Sequence, residues 1–442
     1  MKETCEQLRA FDMLARRNAQ NIIRINRQII NAPGVPNNPR LTPAVPNNSF
    51  IPYAYDCMDM HCLCPYFRGM TAPDGRCFLT NGMELRRTVR KEIRMLTNDE
   101  LQRLNNAIRQ LKLSAIYDQL ANIHRQFASG TGAHSGPAFL LWHREFLKRY
   151  EISLRLIDPT VAIPYWDSVM DGFLPDPRDS VLWTPYLFGE TDQANNVVTG
   201  PYGNDFRTLE GNPYITRNLG IEGHLFTEKN LQDFYNKQSI DGVLAYTAPQ
   251  SGCIYPPNFG ALEYSHASVH SWVGGDMKPP RRSANDPIFF FHHSFVDFIF
   301  EQWRQTKQNR FQREHQYSPN IEQCSSPLHF SHAPMRPFNI LNIQGLSNSY
   351  TDYMYTYEPR PTCSIRSPSC NSQYLFCSIR NGISRCISKV KMNGNCRGFE
   401  QDDACYNGMC INGICRPPPS TLVTFQHFIC PLQLRKQYLP FM

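Results

Sequence analysis

The chain of 442 residues has no long hydrophobic run, and no stretch reaches the roughly 20 apolar residues that a membrane-spanning helix requires. A transmembrane protein is therefore not expected. The opening stretch, MKETCEQLRAFDMLARRNAQ, also lacks the apolar core of a secretory signal. Charge of one sign is not concentrated anywhere: the net charge of +7 is mild for this length and no dense Lys/Arg run occurs, so nucleic acid is not an expected partner. Internal repeats are missing as well, which argues against arrays of like units. What remains is a globular chain with 12% aromatic and 19% charged residues, long enough to bury a substantial core.

Cysteine is plentiful. Nine of the 16 cysteines fall between Cys363 and Cys430, a density that points to disulfides and an oxidising compartment. Their spacings do not repeat as the C-x-x-C pairs of a zinc module, so disulfides are expected there rather than zinc. Cys57, Cys62, Cys64 and Cys77, with Cys5 nearby, read as further staples, with His61 among them. A sequon at Asn47–Ser49 fits the same compartment. The expectation is a secreted, extracellular protein whose signal peptide is absent from this chain.

Residues 5–31 carry an amphipathic, charged helical pattern, a packing arm rather than catalytic machinery. Pro33 to Pro46 reads as a linker or extended wrap. Thr97 and Glu100 form a capping box ahead of Leu101, Leu104, Ile108 and Leu111. A second run, 115–127, brings Ile116, Leu120, Ile123 and His124 together, and a third helix starts near Pro137 with Phe139, Leu140, His143, Phe146, Leu147 and Tyr150 near one side. The Gly-, Pro- and Asn-rich span 173–251 is expected to form loops and short helices crossing over a pocket. Asp286 and Pro287 read as N-cap and first position of a helix bearing Phe289, His293, Val296 and Phe300. Tyr353, Tyr355 and Tyr357 alternate as on a strand.

The histidines carry the chemistry. His266 and His270 stand four apart, a spacing that points both imidazoles from one helix face, and His293 offers a third. Upstream, His124, His134 and His143 form a matching set, so six of the 13 histidines fall into two trios. His134 and His143 are nine apart, opposite sides of a single helix, which assigns His134 to the Gly-rich loop and His143 to the helix after it. Six imidazoles with no thiolate or carboxylate suit copper.

These segments resemble the paired copper-binding regions of the tyrosinase family of type 3 copper proteins, on HSGPAFLLWHR (His134–Arg144), PYWD (Pro164–Asp167) and NDPIFFFHHSFVD (Asn285–Asp297). The resemblance implies a mainly α fold, a four-helix bundle around a dinuclear copper site with long loops and few short strands. It implies His124, His134 and His143 on one copper and His266, His270 and His293 on the other, with His292 beside the site. Dioxygen is the implied co-substrate. The implied activity is a phenol oxidase that takes o-diphenols, and monophenols such as tyrosine, to o-quinones without a protein nucleophile. Small phenols, catechols and tyrosines of an extracellular matrix are the implied substrates, with cross-linking or pigmentation as the outcome. Hemocyanin-like oxygen binding and a catalytically silent matrix protein are the alternatives.

Two departures from the pattern favour diphenols. Some relatives have a cysteine, thioether-linked to the second histidine, where this chain has Gly132, and many have an asparagine where it has Ala267. Arg144, Trp166, Asp167 and Asp297 are expected to be structural, with a bidentate Arg–carboxylate contact locking two ligand helices. Phe289, Phe290 and Phe291 are expected in the core, and Met335, Pro337 and Phe338 match a family segment that closes the domain. The expected organisation is an N-terminal arm, linker and Cys-containing loops (1–94), the dicopper domain (95–360) and a Cys-rich extension (361–442). Cys396 to Cys415 resembles the C-terminal extension of mollusc shell tyrosinase-like proteins.

Overall fold

The structure, a computed structural model, describes residues 2–30 and 54–418. The Pro33–Pro46 stretch, the Asn47 sequon and Cys430 lie outside the described residues. Six helices carry the argument: α1 (Lys2–Ile30), α2 (Asn98–Leu113), α3 (Ile116–Phe127), α4 (Phe139–Ile157), α5 (Leu262–Val273) and α6 (Ile288–Lys307). Helix α2 starts at the capping box: Glu100 N–H donates to Thr97 Oγ1 (3.2 Å) and Thr97 N–H returns to Glu100 Oε2 (2.9 Å). Helices α4 and α6 are buried around nearly their whole circumference, the mark of central helices in an all-α core. With α3 and α5 they form a four-helix bundle. Helix α6 begins one residue later than the Asp-Pro pair suggests. Pro287 is its N-cap, and Asp286 Oδ1 accepts from Ile288 N–H (3.0 Å).

A buried ionic knot locks α4 to α6. Arg144 Nε donates to Asp297 Oδ1 (2.6 Å) and its Nη2 to Glu301 Oε2 (2.8 Å). The guanidinium therefore divides between two carboxylates rather than gripping one in bidentate fashion. The reason is that Asp297 Oδ2 is engaged by the hydroxyls of Tyr355 and Tyr357, each at 2.7 Å. Those tyrosines belong to strand Tyr355–Tyr357, which pairs in parallel with Thr88–Arg90. Arg90 continues the knot through Nε and Nη2 to Glu151 (3.1 and 3.0 Å). Tyr353 is not part of this strand. It sits in the wide turn Tyr350–Met354 that precedes the strand, and is 53% exposed.

The C-terminal region is built from two antiparallel hairpins, Leu375–Arg380 with Ile383–Ser388 and Met409–Ile411 with Ile414–Arg416. Its sulfurs form the disulfides Cys363–Cys377, Cys370–Cys386, Cys396–Cys410 and Cys405–Cys415. Phe376, Ile387 and Val390 pack with Leu174, and Val181 N–H donates to the Lys389 carbonyl (2.8 Å). Upstream, Cys57–Cys62, Cys64–Cys77 and Cys253–Cys324 are also bridged, while Cys5 is a free thiol on α1 rather than part of the neighbouring staples. Among the described residues no helix is long and apolar enough to cross a membrane.

Candidate metal centre

Helix α5 places His266 and His270 one turn apart, and α6 brings His293 to meet them. The Nε2 atoms of His266 and His293 lie 3.0 Å apart and those of His270 and His293 3.3 Å apart. Opposite them, α3 supplies His124, α4 supplies His143, and the loop between these helices supplies His134. Within each trio the ligand-capable nitrogens lie within 4.8 Å of one another. The trios meet where the His143 ring stacks on that of His293, at 4.2 Å and 10°.

The partners of the other ring nitrogens fix which lone pair is free. Nδ1–H donates to a backbone carbonyl in His134 (Ala128, 2.7 Å), His143 (Phe139, 2.9 Å), His266 (Glu263, 3.2 Å) and His270 (Met277, 2.8 Å). That tautomer leaves Nε2 as an unshared lone pair aimed inward. Buried lone pairs need a partner, yet Nε2 of His124 and His143 has none among protein atoms. A cation at each trio answers this, and a donor set of neutral imidazoles fits copper. His292 differs: its Nε2–H donates to the His266 carbonyl (3.2 Å), so it braces the backbone of α5 while His293 completes the trio.

Burial holds these rings neutral. Desolvation pushes His134 and His270 each down to about 4, and His124, His143, His266 and His293 are held well below the usual histidine range, first by desolvation and then by neighbouring imidazoles. Glu263 moves the other way, raised by burial to about 7. Its Oε1 accepts from Ser135 N–H and its Oε2 from Thr247 Oγ1–H, both at 2.6 Å. It therefore ties the His134 loop to α5.

A cavity of about 40 Å³ opens onto the centre, lined by His124, His134, Glu263, His266, Ala267 and His270 together with Gln7, Leu8 and Phe11 of α1. Its outer wall is thus α1, with the Phe11 ring 5.8 Å from that of His134. No residue of 173–251 lines it, which corrects the expected loop cover. Helix α1 reaches this position because Leu8 packs among Ala245, Ala248, Ala261 and Tyr264, and because Asp12 Oδ1 accepts from Ser326 N–H (3.2 Å). The amphipathic pattern of α1 announced a buried face without saying what it would cover. Glu263 was overlooked in the sequence, although a carboxylate one turn before His266 was a usable signal.

The remaining expected residues are structural in their contacts. Trp166 Nε1–H donates to Asp171 Oδ2 (2.8 Å), and Asp167 Oδ2 accepts from Arg360 Nε (2.5 Å). Phe289, Phe290 and Phe291 are fully buried, with the Phe289 ring 4.6 Å from His124 and 4.2 Å from His293.

A helical bundle presenting two facing imidazole trios defines a dinuclear metal protein. Residues 114–306 match the common central domain of tyrosinase. The chain is 47% identical over 375 residues to the putative tyrosinase-like protein tyr-3 of Caenorhabditis elegans, a match covering 83% of this chain and 53% of that protein. It is 32% identical over 327 residues to tyrosinase-like protein 2 of Margaritifera margaritifera (69% of this chain, 68% of that one) and 32% identical over 264 residues to a tyrosinase of Streptomyces antibioticus (54% and 88%). The chain belongs to the tyrosinase family, whose cofactor is a pair of copper ions. It spans about half the length of the nematode relative.

Proposed function

We propose that the protein is a secreted copper phenol oxidase that converts o-diphenols to o-quinones with dioxygen as oxidant. In this reading His124, His134 and His143 hold one copper and His266, His270 and His293 the other. The observation that carries it is the set of six neutral imidazoles with inward lone pairs, three from each side of the bundle. When bound, the copper pair supplies the two-electron reduction of dioxygen. The chain's own part is ligation, positioning and proton handling.

Phe139 and Phe289 flank the imidazoles and exclude water. Glu263 is the carboxylate among the cavity's lining residues, placed to take the proton of an entering phenol. Ala267 presents no amide at the mouth, which favours diphenols over monophenols. Seven disulfides among the described residues support an extracellular setting, where the quinones would cross-link or darken a matrix.

A second reading, reversible oxygen binding without turnover, draws support from the cavity's size. By the volume a water needs, it admits roughly three waters, far less than a catechol, while α1 is seated. Oxygen uptake with catechol, measured alongside copper content, separates the two. The oxidase reading expects sustained uptake in the protein with two coppers, and both uptake and one copper lost in His270→Ala. Stoichiometric oxygenation without turnover would favour the carrier, and full activity in His270→Ala would refute the ligand assignment.

A further inference from the structure

His134 is the member of the two trios that no helix holds. Its loop is under strain: the next residue, Ser135, adopts φ +77°, a left-handed conformation that a non-glycine residue keeps only when its surroundings enforce it. Relatives with a thioether have a covalent tether at this loop, and Gly132 rules one out here. The Ala128 carbonyl holds the His134 Nδ1–H and Glu263 holds the Ser135 N–H, and a further support lies behind the loop.

The turn Pro327–His329 lies against the loop on both sides of His134. A Cβ on Gly132 would sit 2.7 Å from the Leu328 carbonyl oxygen, and one on Gly136 would sit 3.1 Å from the His329 ring. Gly132 is thus required by the closeness of this turn, and Gly136 is in tight contact with it. His329 is completely buried. Its Nδ1 accepts from the N–H of Ala138, the N-cap of the helix that carries His143 (3.4 Å). One imidazole therefore lies against both the His134 loop, at Gly136, and the start of the helix that carries His143.

The turn has its own anchors on the far side. Tyr317 Oη–H donates to the His329 carbonyl (2.6 Å), and Asn342 Nδ2 donates to the carbonyls of Leu328 and Phe330 (2.9 Å each). The Cys253–Cys324 bridge fastens the chain just ahead of it. A purely space-filling role would be met by an apolar ring. Here Nε2 of His329 is buried without a protein partner, so the imidazole is kept at a cost for the sake of its other contacts.

We propose that His329 is a positioning residue: seated on a rigid turn, it holds the His134 loop and the start of α4 so that His134 presents its Nε2 to the upstream metal, doing without covalent attachment. The inference rests on the reading that the six imidazoles bind the copper pair. Residues that orient metal ligands from behind typically change affinity by 10–100-fold when replaced.

The test is Cu(I) binding by chelator competition on the full chain, with thermal midpoint and helical circular dichroism recorded in parallel, for wild type, His134→Ala, His329→Phe and His329→Asn. His329→Phe keeps the bulk and removes the acceptor; His329→Asn retains one. The expected result is that His329→Phe binds one copper as tightly as wild type and the other at least 10-fold more weakly, with the helical signal intact, that His329→Asn recovers most of the loss, and that the weakened ion is the one His134→Ala abolishes. Wild-type affinity for both ions in His329→Phe overturns the proposal, as does an equal weakening of both ions with a lowered midpoint. Retention of both ions in His134→Ala overturns the ligand reading itself, and the clamp with it.

Discussion

Asp297 accepts three hydrogen bonds, from Arg144, Tyr355 and Tyr357, and lies 3.5 Å from Arg90. Although burial alone would raise its pKa, the guanidiniums of Arg144 and Arg90 and the two hydroxyls hold it below the ordinary carboxylate value. Asp297→Asn leaves Arg144 with Glu301 and Arg90 with Glu151 as their remaining carboxylates and should cost roughly 2 kcal/mol for the weakened charge-assisted hydrogen bonds, read from urea unfolding. The sign of the pH dependence follows. A depressed folded-state pKa contributes stability above the unfolded value of about 3.9 that is lost as pH falls through the folded value. The wild-type midpoint should therefore drop more steeply than that of Asp297→Asn below about pH 4. Helical spacing made the His266–His270 pair legible in the sequence, while the two full trios were read from the resemblance to paired copper-binding regions. His329 was not, since a lone histidine in a Pro-rich turn carries no periodicity to mark it.

Among the elements, the bundle helices could be read from apolar periodicity, and the α2 start from its capping box. The position of α1 could not, because amphipathicity specifies that a face is covered and leaves its counterpart open. Leu8 fills a seat made by Ala245, Ala248, Ala261 and Tyr264, and from there α1 narrows the cavity over the imidazoles. Leu8→Asp removes about 2 kcal/mol of apolar burial and adds the cost of a buried carboxylate. It should unseat α1 and raise the initial rate of catechol oxidation at subsaturating substrate by about 10-fold, with the bundle's circular dichroism unchanged. Equal rates in the two proteins would show that α1 does not limit entry.

For the molecule as a whole, cysteine content made disulfides predictable, but pairing depends on tertiary distances that a linear spacing does not encode. Cys253–Cys324 closes 71 residues of separation and joins the two loops that receive α1 and support the His329 turn. By chain-entropy arithmetic its loss costs up to about 4 kcal/mol. The double variant Cys253→Ser, Cys324→Ser should show a lower thermal midpoint together with weaker copper retention. An unchanged midpoint would mean that the loops hold without it. The tail's course was equally unreadable from spacing: its hairpins settle on the Leu174–Val181 stretch, away from the imidazole cavity.

The parallel pairing of Thr88–Arg90 with Tyr355–Tyr357 joins segments from opposite ends of the bundle's sequence. During synthesis, Arg90 and Arg144 emerge from the ribosome long before the tyrosines that complete their shared carboxylate. A nascent chain halted short of Tyr357 would thus carry all six clustered histidines but an unfinished brace beneath two of their helices.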